Sequence, residues 1–400
     1  MQQALNINQK RIESIDILRG IVMVIMALDH VRDFFHIAGN TDDPLNLATT
    51  TPILYFTRWI THFCAPVFVF LSGTSIYLQS LRKPRKELSA FLIKRGLWLI
   101  FAELIIITFA WTFNPFYNFF ALQVIWAIGI SMVILGITIQ LPYKVILVLG
   151  LLIVFGHNLL DIPESAPGFQ SNFLWDLLHS ARFTFYTIAP GHTLIIAYPF
   201  LSWTGLMMLG YCIGIFFSPQ FNQQQRGKIL YRLGFALILF FIMLRFINVY
   251  GDPDPWSTQK NSLYTFLSFM KVHKYPPSLM YMCITIGPAL LLLPVLEKIR
   301  NWFTSIMVTF GRTAFFYYIL HIYLIHLLAT IVYFAKGHTL QDAINGMPGF
   351  LFTFVVPGEG FGLPAVYAVW LLVIIILYPV CKWYDKYKTR HKEKWWLSYL

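Results

Sequence analysis

The chain has 400 residues, of which 57% are hydrophobic and 12% charged, and a formal net charge of +12. So much apolar surface exceeds what one soluble core can bury, which excludes a water-soluble globule and makes lipid the expected solvent. The positive charge does not form a nucleic-acid surface: it sits in short clusters at Lys10 and Arg11, at Arg82, Lys83, Arg85, Lys86, Lys94 and Arg95, and from Lys382 to Lys394. Such clusters between apolar runs are topology signals for segments kept on the cytoplasmic side.

Apolar windows of roughly 20 residues, the length that crosses about 30 Å of hydrocarbon, recur along the whole chain. They predict helices near 15–36, 54–80, 92–113, 118–139, 143–160, 193–217, 229–249, 277–296, 305–334 and 363–385. The expected fold is therefore all-α, a single polytopic domain over 1–400 with about ten transmembrane helices. Its ends are a cytoplasmic segment at 1–14 and a basic cytoplasmic tail at 386–400. Both termini fall inside because the intervening basic loops hold Lys144, Arg226, Lys228, Arg232, Lys298 and Arg300. The opposite loops hold Asp42, Asp43, Asp161, Glu164, Asp252, Asp254, Asp342 and Glu359, although 250–276 also carries Lys260, Lys271 and Lys274. The first apolar run follows a polar segment and lacks a small-residue cleavage site, so it is expected to be retained as a helix.

The four cysteines, Cys64, Cys212, Cys283 and Cys381, lie in apolar stretches without CxxC or Cys/His spacing. They are expected to be small buried hydrophobes, with no disulfide framework and no metal site. Three external loops are long, 161–192, 250–276 and 335–362, and within them Phe173–Thr187 and Ser262–Val272 have the amphipathic pattern of short interfacial helices.

Helix one concentrates the unusual chemistry. Asp16, Arg19, Asp29, His30, Arg32 and His36 flank or interrupt its apolar middle, and ionisable groups in a span usually face a bundle interior or an aqueous cavity. At 100° per residue Arg19 and His30 are only about 20° apart around the helix, and roughly 16 Å apart along it. One stripe thus joins the two membrane sides. Asp29 points about 100° away from His30 and is better placed to pair with Arg32 or Arg58. The bland alternative makes Asp16–Arg19 and Asp29–Arg32 interfacial ion pairs and His30 a packing hydrogen bonder. Glu103, inside helix three, needs a partner or a proton. Arg245 and Asn248 close helix seven. Helix nine carries Arg312, Tyr317, Tyr318, His321 and His326; Arg312 and His321 lie about 180° apart on a straight helix and can face one cavity only if Gly311-Arg312 belongs to the entry loop.

Several segments in order resemble the bacterial branch of the heparan-alpha-glucosaminide N-acetyltransferase catalytic-domain family. They are Ile12-Glu-Ser-Ile-Asp16-Ile-Leu-Arg19-Gly20, Leu28-Asp29-His30-Val-Arg32, Arg58-Trp-Ile-Thr-His62 with Pro66, and Phe70-Leu-Ser-Gly73. Further on come Tyr198-Pro199, Trp203-Thr-Gly205, Asn248-Val-Tyr-Gly251-Asp252, Lys274-Tyr-Pro-Pro277 and Gly311-Arg312-Thr, then His321, His326 and Trp395-Trp-Leu-Ser-Tyr-Leu400. The Arg19-x10-His30 spacing is also similar to that in the wider membrane O-acyltransferases of bacterial polysaccharides.

The resemblance implies a helical bundle in the cell inner membrane that takes acetyl-CoA, or another acyl-CoA, from the cytoplasm and delivers the acyl group to a glycan-like acceptor outside. Expected partners are the lipid bilayer, acyl-CoA and that acceptor, with room for a homodimer. The human family member carries its proposed catalytic histidine just after the first helix and an asparagine near the position of His30, so His30 and His36 are both candidates for the base here, with Asp29 beside them. Arg19, Arg58, Arg245, Arg312 and His321 are the candidate donor-binding residues. Heparan sulfate is not the expected acceptor, since only a short segment precedes helix one. The rival reading is a multi-pass transporter that uses Asp29, His30, Glu103 and Arg245 as a proton or solute pathway.

Overall fold

A computed structural model describes residues 12–180, 183–346 and 352–398. Lys10 and Arg11, Ala181 and Arg182 within the expected interfacial helix, and Tyr399 and Leu400 of the C-terminal motif lie outside the described residues.

The chain is mostly helical. In order come α1 (Glu13–Phe35), α2 (Pro52–Ser80, through a 3-10 turn at Ile60–Phe63) and α3 (Arg85–Ala102), which runs through a π-helical turn at Glu103–Ile107 into Thr108–Thr112. Strand β1 (Phe119–Leu122), α4 (Val124–Thr138), α5 (Tyr143–Glu164) and the short α6 (Phe173–Leu178) follow. Then come β2 (Phe185–Ala189), β3 (His192–Ile196), α7 (Phe200–Phe217), α8 (Gln223–Ile247), α9 (Ser262–Met270) and α10 (Leu279–Leu296). The chain closes with α11 (Trp302–Arg312), α12 (Ala314–Ala335), α13 (Leu340–Gly346) and α14 (Leu363–Arg390). Seven of these, α2, α5, α7, α8, α10, α12 and α14, are long and apolar enough to cross a membrane. Charge keeps α1 out of that set and length keeps out α4, although both occupy expected segments.

Three expectations are corrected. The fold is not purely α: β1 pairs parallel with β3, and β3 pairs antiparallel with β2, in a small sheet of order β1-β3-β2. Its strands occupy the first turns expected of the helices at 118–139 and 193–217, and the end of the expected interfacial helix at 173–187. Runs such as Phe185-Tyr-Thr-Ile and Thr193-Leu-Ile-Ile, rich in aromatic and β-branched residues, suit a pleated surface once a distant partner strand is available. The helix expected over 305–334 is two helices, because the chain bends at Thr313, which ends α11 and starts α12.

Helix α1 is the hub, packed against α2, α10, α11, α12 and α14. Burial sorts the remaining helices: 78% of the apolar window of α10 is buried against 17% for α14, so α10 is interior and α14 turns its apolar surface outward. Backbones approach most closely where small residues allow it. A Cβ on Gly20 would lie 1.9 Å from the Met307 carbonyl oxygen, and one on Gly311 would lie 1.9 Å from that of Asp16. This reciprocal contact locks α1 to α11 and brings Arg19 and Arg312, the residues next to the two glycines, to one place. Gly73 against Met207 and Gly210 against Phe70 join α2 to α7 in the same way.

The connection from α8 to α10 is wound around Arg245. Its guanidinium donates to the carbonyls of Phe269 (2.7 Å), Asp254 (3.0 Å), Ser268 (2.9 Å) and Lys271. Asp252 accepts from the His273 N–H at 2.9 Å and from Ser278, the N-cap of α10, at 2.7 Å. The effect is to deliver Lys274 to the interior, where its side chain is 10% exposed.

Two predictions follow from these contacts. Gly20→Val should lower thermal stability in detergent by about 1–3 kcal/mol or more through overpacking, while Gly156→Ala, which meets nothing within 4 Å, should be close to neutral. The second concerns pH. Burial opposes charge on His273, but its hydrogen bond with Asp254 (3.0 Å) and the charges of Asp254 and Asp252 hold its pKa above the ordinary value. A raised pKa contributes stability that is complete below about pH 6.5 and lost as pH rises through the folded value. His273→Gln should therefore flatten the fall in unfolding temperature between neutral and alkaline pH. The pair is partly exposed, so the effect should stay below about 1 kcal/mol.

Candidate functional site

The ring of His30 meets that of His321 from α12, with His30 Nδ1 and His321 Nε2 2.7 Å apart. The far nitrogen of His321, Nδ1, lies 3.0 Å from the Tyr317 carbonyl, which can only accept, so that nitrogen carries the proton. His321 Nε2 is then the acceptor and His30 Nδ1 the donor. This leaves His30 Nε2 with its lone pair, unpaired among the described residues. A carbonyl one turn back on α12 thereby fixes the tautomer of a histidine on α1. Trp111 packs edge-on to the His30 ring at 4.8 Å and Tyr318 at 6.4 Å, restricting its rotation.

Asp29 faces away from His30, as its angle on the helix requires. Its carboxylate is 3.0 Å from Arg32, 3.4 Å from Arg58 of α2 and 3.9 Å from Lys274. Arg32 also bonds Asp33 at 2.6 Å, and Arg58 donates to Thr61 at 2.8 Å. Three cations from three segments share one buried carboxylate, so its role is to hold charge in place.

His30 and Asp29 line a small cavity with Lys274, Tyr198, Tyr318 and Thr61. A second, larger cavity lies further along α1 and is lined by Arg19, Arg95, Arg312, Lys388, Ser75 and Gln79. Phe68, Ile125 and Ile128 belong to the walls of both. Arg19 is oriented by Ser75 (2.8 Å) and Asp16 (3.3 Å), and Arg312 lies 3.4 Å from Asp385. Across the bend at Thr313, Arg312 lines the second cavity while His321 lies behind His30, in contact with its ring.

The remaining candidates lie elsewhere. His36 ends α1, accepts the Ala38 N–H at 3.2 Å and lines a separate outer pocket with Lys336, His338 and Glu359. Arg245 is taken up by the loop carbonyls and reaches neither cavity. Glu103 is not in an ion pair among the described residues: its Oε2 accepts the Trp126 N–H at 2.9 Å, capping the start of α4 from a neighbouring helix. His326 bridges the carbonyls of Ala110 (2.9 Å) and Thr353 (2.6 Å). Sequence reasoning did not single out Lys274, Tyr198, Arg95 or Lys388 as site residues. The motifs around Lys274 and Tyr198 were visible, but nothing local says that they meet α1.

Fold and site together define a multi-pass membrane protein with a buried ionisable centre beside a basic cavity. The chain belongs to the heparan-alpha-glucosaminide N-acetyltransferase catalytic family, whose profile matches residues 11–246. Membership implies a membrane acyltransferase-like function, and acetyl-CoA is the donor this family uses. No curated protein matches the chain. Lys274, Arg312 and His321 lie beyond the matched span, so their place in the site rests on the three-dimensional packing.

Removing the shared carboxylate should test the cation cluster. Asp29→Asn leaves Arg32, Arg58 and Lys274 facing one another and should destabilise the fold by about 3–5 kcal/mol. Adding Lys274→Gln should recover part of that loss, read as unfolding temperature of the two variants in the same detergent.

Proposed function

We propose that the protein transfers an acetyl group from cytoplasmic acetyl-CoA to a hydroxyl or amine of a glycan-like acceptor on the external side. The observation that carries this reading is the pair of neighbouring cavities sharing Phe68, Ile125 and Ile128, one lined by basic residues and the other by His30. Arg19 and Arg312 would hold the phosphates of CoA, for which a guanidinium fork is well matched. The pantetheine arm would follow the α1 stripe and bring the thioester to His30.

There His30 Nε2 takes the acceptor proton as the acceptor oxygen or nitrogen attacks the thioester carbonyl. The tetrahedral oxyanion then collapses, the C–S bond breaks, and the thiolate recovers the proton from His30 as free CoA. His321 keeps Nδ1 of His30 protonated throughout, so that only Nε2 serves as base. Lys274 and Tyr318, on the same cavity wall, are the groups available to stabilise the oxyanion. Asp29 holds Lys274 there. In this reading ten helices cross the inner membrane with both termini inside, and the chain sits in the bacterial branch of the family. The three of these ten that fall outside the apolar set, α1, α3 and α4, all contribute to the cavity walls, where polar residues and broken helices are tolerated.

Acetyl-CoA binding and CoA release by the detergent-purified protein test the assignment. Arg19→Ala should weaken binding, whereas His30→Ala should bind the donor yet release CoA about 10²–10⁴-fold more slowly with an accepted glycan. His36→Ala should retain both activities. Absence of saturable acetyl-CoA binding by the wild type, or undiminished CoA release by His30→Ala, would overturn it.

A further inference from the structure

We propose that His157, His179 and Asp161 form a binding site for a zinc-like divalent cation, with Glu164 orienting His179. The four residues lie on the external side of α5 and on the loop after it, away from both cavities described above. His179 is fully buried, and its Nδ1 lies 2.8 Å from Glu164 Oε1, so this nitrogen is the proton donor. The lone pair of Nε2 is therefore turned the other way, where His157 Nδ1 lies at 3.3 Å and Asp161 Oδ1 at 3.8 Å.

Those separations fit a shared ion. Donors bound to zinc at about 2.0–2.1 Å on tetrahedral vertices are about 3.3–3.4 Å apart. The distance between the two imidazole nitrogens, a long hydrogen bond without an ion, matches that edge. Candidate ligand atoms of Asp161, Glu164 and His179 all lie within 4.8 Å of one another. His157 is 3% exposed, and its Nδ1 is turned to His179.

The surroundings are also built to hold ligands still. Glu164 accepts the Trp175 indole N–H at 2.7 Å, and Asn158 holds Asp161 Oδ2 at 2.7 Å while accepting the Leu279 N–H at 2.9 Å. A carboxylate on the remote nitrogen of a ligating histidine is the usual outer-shell arrangement. Two imidazoles and a carboxylate suit zinc better than magnesium or calcium. The ion would pin the loop after α5 to the start of α10, beside the segment that delivers Lys274. The sequence expectation of no metal site rested on the cysteines and did not weigh these residues.

The test uses full-length protein purified in detergent through a tag that does not bind metal, loaded with zinc, dialysed and analysed by elemental mass spectrometry. Wild type should retain one equivalent of zinc per chain, and His179→Ala and the double variant His157→Gln/Asp161→Asn should retain none. Glu164→Gln should bind zinc about 10–100-fold more weakly, and His273→Gln, on a nearby loop, should bind as wild type does. Chelation of the wild type should lower its unfolding temperature, with zinc restoring it, so the site can be judged even if a substituted chain fails to fold. Zinc content no higher in the wild type than in His179→Ala, or an unfolding temperature unmoved by chelation and zinc, would overturn the proposal. Neither readout depends on acetyl transfer.

Discussion

The carboxylate of Asp29 is the charge around which the interior is arranged. Arg32 from its own helix, Arg58 from α2 and Lys274 from the long loop before α10 all converge on it. In a low-dielectric interior an unpaired charge is strongly disfavoured, so each partner is held to within a narrow range of positions. The consequence reaches beyond the ion pairs. Fixing Arg58 fixes the start of α2, and fixing Lys274 requires the whole loop to be wound about Arg245 and Asp252. With those walls in place, His30 is left at the head of a cavity, its ring held by His321 and Trp111.

Steric exclusion supplies the second constraint. At Gly20 and Gly311 two helices touch backbone to backbone, and the neighbouring arginines are carried to the same cavity wall without any attraction between them. Lipid offers no hydrophobic drive for one helix to seek another, so close van der Waals contact at small residues decides which helices pair. The positions of charge and of glycine in α1 are therefore linked: Arg19 lies beside the contact, and His30 lies three turns further along the same stripe.

Much of this was legible in α1 alone. The angular relation between Arg19 and His30, and the separation of Asp29 from His30, are properties of any straight α-helix and survive in the structure. The π-helical turn at Glu103 was not legible, and the bend at Thr313 was legible only as the condition under which Arg312 and His321 could face one cavity. Glu103 shows the limit well: a buried acid in a helix invites an ion pair, yet here it caps the first turn of α4. Arg245 was read as a donor-binding or relay residue because it is a charge at a helix end, whereas in the fold its donors are used by four loop carbonyls.

Composition and periodicity by themselves determined that the chain is a multi-pass helical membrane protein, because apolar length and the unfavourable transfer of backbone and charge into lipid leave few other solutions. They also determined which face of α1 would carry its polar groups. Only the tertiary structure decided what those groups meet. The histidine that sets the tautomer of His30 is 291 residues away, and β1 and β3 pair across a gap that no local pattern encodes. Hydrogen bonds and ion pairs act over a few ångströms, so their partners are fixed by how helices pack and not by where residues stand in the chain.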